Sequence, residues 1–530
     1  MKKYFILLAL LTPCFTIVAQ GLDGTAAPDC KSGGTNGMAQ GLDGTAALDC
    51  KSGGTNGMAQ GLDGTAAPDC KSGGTNGMAQ GPGGGGPNGG GGSSSTTTTP
   101  DGAAYTLSDG STVTKTGETL STSTSDYNVV QVTSGTLNLN ECTLSKTGDT
   151  NSTDGDATSF YGINSAVYAS GSSAFINITG GTVTTASKGS NAVFSTNGAT
   201  ITVDGLTINN SSSVSRGLHC TYGGIINATD VDITTNSETS STIATDRGGG
   251  TVTVTGGTAT AKGNRSAVLY STGTITATGL TGVSELGEIA DVEGDNGVVI
   301  NQCTMTSGSS ERGLMMLQSG SGDAEGTNAY ITVSSSTLTT TDSSAPLCEV
   351  PTLNNGTLTL TDVTLNVASG QLMLVDYNTQ WSTYGGYGHL VLQTTEDSWS
   401  YTGTVVADKY SHATVSVGEN VKWNGTINSA NTASSATATV EAGGTWVLTG
   451  NAYVSTLVNN GTIVTNGYTL TATSTSGSGS IVETSGISGT TATAVTSNEV
   501  YDLQGRRLAS VPEKGFYIQN GVKHLKRVGE

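Results

Sequence analysis

Apolar residues recur in spaced pairs along the middle of the chain. They occupy relative positions 0 and 2, then 5 and 7, and the spacing returns after 25 residues. One copy comprises Ile201, Val203, Leu206 and Ile208, and the next comprises Ile226, Ala228, Val231 and Ile233. Two apolar residues separated by one polar residue lie on the same face of a β-strand. The three-residue step between the pairs predicts a bend between two short strands.

The same phase recurs in eleven copies, most of them 23–27 residues apart. The copies begin at Leu137, Ile176, Ile201, Ile226, Val252, Ile275, Val298, Ile331, Leu358, Leu390 and Val415. A further apolar centre lies between many successive copies, at Val167, Val193, Leu218, Ile243, Val268 and Leu314. Each period therefore predicts three short strands, whose apolar face is covered only when neighbouring copies stack.

This stacking predicts an all-β fold, a right-handed parallel β-helix of about eleven rungs over residues 101–485. At the usual spacing between strands it would be roughly 50 Å long. Cys142 and Cys303 fall in the inward columns, where we expect buried small hydrophobes rather than reactive thiols. The alternative architecture, an array of β-sandwiches, gives no reason for a constant phase over eleven copies.

A more conspicuous repeat precedes this region. The segment "QGLDGTAAPDCKSGGTNGMA" begins at Gln20, Gln40 and Gln60, with Leu48 as the one change. It lacks apolar periodicity, so residues 20–80 are predicted to form a disordered stalk. Residues 81–100, rich in Gly, Ser and Thr, are predicted to be a flexible linker. Each repeat carries one cysteine that could crosslink neighbouring molecules into disulfide-linked multimers: Cys30, Cys50 and Cys70.

The first 19 residues have the pattern of a secretory signal peptide. Lys2 and Lys3 precede a short apolar core, and Ala19 provides a small residue at the predicted cleavage site. The alternative hypothesis is a lipoprotein signal with Cys14 as the lipidated residue. No later segment is apolar enough to span a membrane. The sequence thus predicts an exported protein, either extracellular or at the outer-membrane cell surface.

Composition and charge exclude some classes of binding partner. The chain of 530 residues contains 78 Gly, only 12% charged residues and a net charge of −20. Abundant Gly, Ser, Thr and Asn favour turns and strands over helices. An acidic surface repels polyanions, so nucleic-acid binding is excluded as a leading hypothesis. Four scattered histidines and no CxxC pair give no support for a zinc site.

The body resembles the pectin-lyase-like β-helices of secreted bacterial adhesin-like proteins. Segments such as "KTGDTNSTDGDATSFYGINSAVYASG", "SRGLHCTYGG" and "GTWVLTGNAYVSTL" carry this resemblance. Residues 497–530, with "EVYDLQGRR" and "KGFYIQNG", resemble a short form of the C-terminal sorting signal of type IX secretion. The resemblance implies passage through secretion machinery and attachment at the surface or release. The alternative for this tail is a final hairpin of two edge strands.

Two acidic segments are candidates for Ca²⁺, which prefers six to eight oxygen ligands. The first offers Asp149, Asp154 and Asp156. The second, "ELGEIADVEGDNG", offers five acids: Glu285, Glu288, Asp291, Glu293 and Asp295. For each segment the favoured alternative is a solvated loop. Neither has the spacing of an EF-hand. No cofactor is predicted beyond this optional structural Ca²⁺.

Aromatic residues concentrate in 377–453, and all four Trp lie between 381 and 446. Rigid rings with polar tips are suited to stacking on sugar faces. The candidate carbohydrate-binding residues are Tyr377, Trp381, Tyr384, Tyr387, Trp399 and Tyr401. The alternative, which we favour, is that these rings cap the open end of the β-helix.

Catalysis is the competing function. Lyases of the resembled fold pair Ca²⁺ with a Lys or Arg base, and hydrolases use paired carboxylates. Arg216 and Arg312 share one phase, but they are predicted to cap turns or form exposed pairs of little energetic value. The leading hypothesis is therefore a non-enzymatic adhesin-like protein that binds an extracellular polysaccharide or a host or bacterial surface. The alternatives are a polysaccharide lyase or glycoside hydrolase, and a passive surface rod.

Overall fold

The computed structural model of this chain describes residues 99–152, 155–318, 324–351, 355–378, 384–483, 499–519 and 522–526. The predicted signal peptide, the stalk with its three cysteines and nearly all of the linker lie outside the described residues. The described residues form 45 strands and one short helix, α1 (Gly155–Tyr161). The prediction of an all-β fold is confirmed for this described part of the chain.

Sheet 1 contains sixteen parallel strands. They are β1 (Gly102–Leu107), β4 (Tyr127–Val132), β7 (Val167–Ser170), β10 (Val193–Thr196), β13 (Leu218–Thr221), β16 (Ile243–Thr245), β19 (Leu269–Ser271), β22 (Ala290–Glu293), β25 (Leu314–Leu317), β28 (Cys348–Val350), β31 (Gln371–Val375), β33 (Trp399–Ala407), β35 (Val421–Ile427), β37 (Thr445–Leu448), β39 (Thr462–Val464) and β41 (Ser480–Val482). Each strand pairs with the equivalent strand of the next copy.

Sheet 2 contains fifteen parallel strands. They are β2 (Thr112–Thr116), β5 (Gly135–Asn140), β8 (Ala174–Thr179), β11 (Thr200–Asp204), β14 (Gly224–Thr229), β17 (Gly250–Thr255), β20 (Thr274–Thr278), β23 (Gly297–Asn301), β26 (Tyr330–Ser334), β29 (Asn355–Thr361), β32 (Tyr387–Gln393), β34 (His412–Val417), β36 (Ser435–Val440), β38 (Ala452–Asn459) and β40 (Leu470–Ser476).

Sheet 3 contains ten parallel strands among the described residues. They are β3 (Thr119–Thr122), β6 (Thr143–Lys146), β9 (Thr182–Thr185), β12 (Thr207–Asn210), β15 (Asp232–Thr235), β18 (Thr258–Asn264), β21 (Thr281–Leu286), β24 (Thr304–Ser307), β27 (Thr337–Thr340) and β30 (Thr364–Val367). Three long sheets, each built from parallel strands of successive copies, are the arrangement of a parallel β-helix.

The register follows the sequence period. Ile201 pairs with Ile226 and Val203 pairs with Ala228, so equivalent residues of adjacent copies lie side by side. The eleven copies identified in the sequence correspond to eleven consecutive strands of sheet 2, β5 to β34. Sheet 2 has four further strands in the described part of the chain, β2, β36, β38 and β40. Several of their inward residues are Ala, as at Ala436 and Ala438, which weakens the apolar signal.

The inward residues of the three sheets form one continuous apolar core. Cys142 and Cys303 lie in it with 2% of their surface exposed, which confirms their expected burial. The strands of sheet 1 from β10 to β28 are buried on both faces, so their outward side chains are covered as well. Helix α1 contributes to this cover, because the Thr221 hydroxyl donates a hydrogen bond to the Phe160 carbonyl (3.2 Å).

The third sheet ends at β30, and aromatic rings fill the core beyond it. Tyr401, Trp423 and Trp446 lie in register on β33, β35 and β37 and are almost fully buried. The two indole rings stack with centroids 5.1 Å apart and donate hydrogen bonds to the Gly403 and Gly425 carbonyls. The concentration of tryptophan in this part of the sequence is therefore explained mostly by packing in the core.

Residues 499–526 form a separate antiparallel sheet, sheet 4, in the described part of the tail. Its strands are β42 (Val500–Tyr501), β43 (Arg507–Leu508), β44 (Gly515–Gln519) and β45 (Val522–Lys526), in the order β43-β42-β44-β45. The tail thus contains more than the two strands of a simple hairpin.

Candidate functional site

Three of the candidate sugar-binding residues, Tyr377, Tyr384 and Tyr387, lie between the end of β31 and the first residue of β32. Tyr384 is 64% exposed and Tyr387 is 40% exposed. Tyr377 packs edge-on against Tyr410, with ring centroids 5.1 Å apart, and Tyr387 stacks on His412 at 4.3 Å. We call these five residues the aromatic corner.

The chain segments after β31 and β33 position the aromatic corner. Asp408 follows β33, and its carboxylate accepts hydrogen bonds from the backbone amides of Tyr377 and Tyr410, each at 2.9 Å. The Ser411 hydroxyl accepts a further bond from the Gly386 amide (3.2 Å). These bonds fix two irregular segments against each other, so the rings are held by backbone contacts and not only by their own packing.

The other three candidate residues do not join this surface. Tyr401 is 2% exposed, and its hydroxyl donates to backbone carbonyls at Leu360 and Gln393. Trp399 packs against the core and donates its indole N–H to the Val363 carbonyl (3.3 Å). Trp381 lies outside the described residues. Tyr401 is therefore corrected from a surface candidate to a core residue, because it occupies the inward column of sheet 1.

The first Ca²⁺ prediction is only partly described. Asp149 accepts hydrogen bonds from the Thr150 and Lys188 amides, at 2.9 and 3.0 Å. Asp154 and the Asp156 side chain lie outside the described residues. Among the side chains that the structure describes, no group of three or more His, Cys, Asp or Glu could hold a metal ion. The calcium site stays a prediction.

A buried group of charged residues lies beneath helix α1. Arg216 is 2% exposed, and its guanidinium donates to the Ser159 hydroxyl of α1 (3.0 Å) and lies 3.6 Å from the Asp246 carboxylate. His219 donates a hydrogen bond from Nδ1 to the Asn191 amide oxygen (3.0 Å). Burial, together with the charge of Arg216, lowers the pKa of His219 well below its usual value, so the imidazole is neutral at physiological pH. The Arg216 guanidinium also donates to the Val214 carbonyl (3.3 Å), which agrees with the prediction that Arg216 caps a turn, whereas the alternative of an exposed ion pair is wrong.

Arg312 centres a second buried group. Its guanidinium pairs with Glu288 (3.3 Å), Glu311 (2.6 Å) and Glu349, and its side chain is 6% exposed. Arg312 lies in the phase of Arg216, and the alternative that it forms an exposed pair of little energetic value is wrong for the same reason. Strands β10 to β28 of sheet 1 are buried on both faces, which a strand pattern in one copy does not reveal.

Acids outnumber cations around Arg312. The segment "ELGEIADVEGDNG", predicted to be a solvated loop, contains strand β22. Its acids Glu288, Asp291 and Glu293 are buried, whereas Glu285 and Asp295 are exposed as predicted. Neither carboxylate oxygen of Asp291 has a hydrogen-bond partner in the described part of the chain. Burial, and then the charges of Glu293 and Glu288, raise its pKa well above the usual value.

Asp376 lies near this group, after β31. Burial, followed by the charges of Glu349 and Asp408, raises the pKa of Asp376 to about 7. Burial also raises the pKa of Glu288. Glu288, Asp291 and Glu293 lie within 5 positions of one another, but Glu349 and Asp376 follow them by 56 to 88 positions, and only the stacking of copies brings these two acids to the other three. We call Glu288, Asp291, Glu293, Glu349 and Asp376 the acidic group.

Comparison with known proteins adds no family or relative. No helix in the described ranges is long and apolar enough to cross a bilayer. No protein-family model, no curated protein and no solved structure matches this chain.

Proposed function

We propose that this protein is an exported, adhesin-like β-helix that binds extracellular glycans through the aromatic corner, without catalysing their cleavage. The observation that carries the proposal is the set of exposed rings on two adjacent connections between sheets 1 and 2: Tyr384, Tyr387 and Tyr410 are 64%, 40% and 51% exposed. Such rings offer flat apolar area with polar tips, which suits the faces and hydroxyls of sugars.

The surroundings of the corner support a sugar more than a strongly charged ligand. Lys409 lies over the ring of Tyr410, 4.8 Å from its centroid, and Asp408 is occupied by backbone amides. The imidazole of His412 shares a hydrogen bond with the Ser435 hydroxyl (2.7 Å). The corner therefore combines apolar rings with hydroxyl and imidazole groups, a pairing that positions a polyol.

The proposed architecture is right-handed, because parallel strands joined by crossovers twist almost always in that sense. The basic and apolar start of the chain supports export, and the pattern of the tail supports sorting by type IX secretion. Export places the protein where extracellular polysaccharides or host and bacterial surfaces are its partners.

The test is a glycan array probed with the full-length exported protein, with and without Ca²⁺. The double variant Tyr387→Ala, Tyr410→Ala is expected to lose about tenfold or more of the affinity for each glycan bound, since each stacked ring contributes about 0.5–1.5 kcal/mol beyond its buried area. Tyr468→Ala is the matched control, because Tyr468 is 42% exposed but lies outside the corner.

Three outcomes would contradict the proposal. Unchanged affinity in the double variant would remove the aromatic corner as the binding surface. Absence of binding by the unaltered protein would support a passive rod. Release of unsaturated products from uronate polymers, or of new reducing ends from other glycans, would show a lyase or a hydrolase.

A further inference from the structure

A cavity of about 250 Å³ opens beside helix α1, distant in sequence from the aromatic corner. Tyr161, Tyr168, Thr196, Asn197 and Tyr222 line it. They come from the end of α1, from strands β7 and β10, and from the turns after β10 and β13. Four separate parts of the chain thus meet at one concave surface.

Three of the five lining residues are tyrosines. Tyr161 and Tyr222 lie nearly parallel, with an interplanar angle of 7° and centroids 6.2 Å apart. Tyr168 stacks on Phe194 with centroids 5.7 Å apart, and Phe194 in turn packs edge-on against buried His219. The rings are therefore fixed in place before any ligand arrives, which lowers the entropic cost of binding.

The remaining lining groups form hydrogen bonds. The Asn197 amide donates from Nδ2 to the Ser170 hydroxyl (3.0 Å), which orients its Oδ1 as an acceptor. Thr196 accepts a bond from the Thr221 hydroxyl (2.9 Å). Burial and a hydrogen bond with Tyr161 raise the pKa of Tyr222 to about 12, so its hydroxyl keeps its proton at physiological pH. The cavity offers both donors and acceptors beside apolar rings.

Aromatic rings of this kind bind either quaternary ammonium cations or uncharged sugar rings, and the charge around the cavity distinguishes these two ligand classes. Quaternary ammonium groups bind aromatic cages through attraction to the ring faces. Here the Arg247 guanidinium lies 4.1 Å from the Phe160 ring centroid, and its positive charge and the negative charge of Asp246 act on Tyr222 with opposite signs. The two charges offset each other at the ring, which favours an uncharged ring with hydroxyl groups over a cation or an anion.

We propose that this cavity binds one neutral sugar ring, such as the terminal residue of a glycan. Its volume lies below the range of about 300–1,000 Å³ typical of larger ligands, so it suits a single ring rather than a chain. The site goes beyond the aromatic corner and involves none of its residues. Its binding is therefore separable from the function proposed above.

The test is saturation-transfer NMR and calorimetry on the full-length protein with methyl glycosides of glucose, galactose, mannose and N-acetylglucosamine. Choline and methyl glucuronide serve as charged comparison ligands. At least one neutral glycoside is expected to bind, and its affinity is expected to fall tenfold or more in Tyr222→Ala. Tyr222→Phe, which keeps the ring, is expected to lose less.

Two controls make the result specific. Tyr330→Ala alters a tyrosine of similar exposure, 39% against 38%, which also packs over a glycine, and it is expected to bind normally. Glycoside binding is also measured in the double variant Tyr387→Ala, Tyr410→Ala, where a loss of binding would place the bound glycoside at the aromatic corner instead. The proposal is overturned if no neutral glycoside binds, if choline binds in its place, or if only the aromatic-corner variant loses binding.

Discussion

Burial of single carboxyl groups in the acidic group lowers the stability of the folded chain by an amount that depends on pH. Asp291 is fully buried without a hydrogen-bond partner among the described residues, and Arg312 is the cation closest to the group. A buried carboxylate without compensation favours its neutral form. The folded chain therefore holds protons at these positions that the unfolded chain releases.

The expected result is a protein that loses stability as the pH rises. The pKa values of Glu288, Asp291 and Asp376 are higher in the folded chain than in the unfolded chain. The stability that these three groups contribute is therefore fully present below the unfolded pKa values near 4. It is lost as the pH rises through the folded pKa values, which is about 7 for Asp376. Each group changes the free energy of unfolding by up to about 1.4 kcal/mol per pH unit in its window. Thermal unfolding between pH 4.5 and 8.5 measures this slope.

A variant isolates the contribution of one residue. Asp376→Asn removes the titrating group and is expected to flatten the dependence of Tm on pH between 5 and 7. Asp342→Asn is the matched control, because hydrogen bonds from Ser344 lower the pKa of that exposed carboxyl. A Tm that rises with pH over this window, or an equal effect of both variants, would refute the assignment.

At the scale of elements, helix α1 acts as a cover on sheet 1. Its seven residues are too few to be a stable helix alone, so tertiary contacts must hold it. Ser159 accepts a bond from Arg216 (3.0 Å) and exchanges bonds with Asn191, and Phe160 packs beneath Arg247. The helix therefore exists because it closes over charged and aromatic residues of sheet 1.

Phe160→Ala is expected to loosen this cover without unfolding the sheets. Loss of a buried ring costs about 3–5 kcal/mol, and here most of it falls on the docking of α1. Amide exchange at residues 155–163 should accelerate about tenfold or more, while exchange in β11 and β14 stays unchanged. Phe175→Ala, at an exposed phenylalanine of sheet 2, should change neither. Equal acceleration in α1 and the sheets would show that α1 is not a separate unit.

The sequence pattern located the elements that repeat and missed those that do not. Ile201 and Ile226 indicate adjacent strands, because each must fill the same inward column of the stacked copies and so both are large and apolar. Helix α1 leaves no such trace, since it occurs once and is short. The burial of Arg216 and Arg312 was also missed, because it depends on partners 24 to 57 residues away. In residues 377–453 the aromatic residue types indicated a packed or binding surface. Only the strand register shows that Tyr387 faces solvent and that Tyr401 faces the core.

At the scale of the whole molecule, the cysteines fall into two populations. Cys142, Cys220, Cys303 and Cys348 are free thiols and buried. Burial raises the pKa of Cys220, Cys303 and Cys348, which keeps the protonated, unreactive form. Any reactive thiol of the mature chain is therefore expected in the repeats, at Cys30, Cys50 or Cys70.

Maleimide labelling of the reduced native protein, followed by peptide mapping, checks this expectation. Label should appear on the peptides of the repeats and be absent from the four buried cysteines until denaturant is added. Phe175→Cys, which places a thiol at an exposed position of sheet 2, should label at once and provides the positive control. Rapid native labelling of Cys220 or Cys348 would contradict their burial. A non-reducing gel without a ladder of multimers would exclude crosslinking through the repeats.

The end of sheet 3 at β30 has a consequence for how this chain can change in length over evolution. Before that point, Ile201 and Ile226 occupy equivalent places, so recombination between adjacent copies would remove or add one period and leave every inward column matched. Beyond it, Trp423 and Trp446 depend on a core without the third sheet. Gain and loss of copies should therefore be confined to residues before β30, and related chains should differ in length by multiples of one period.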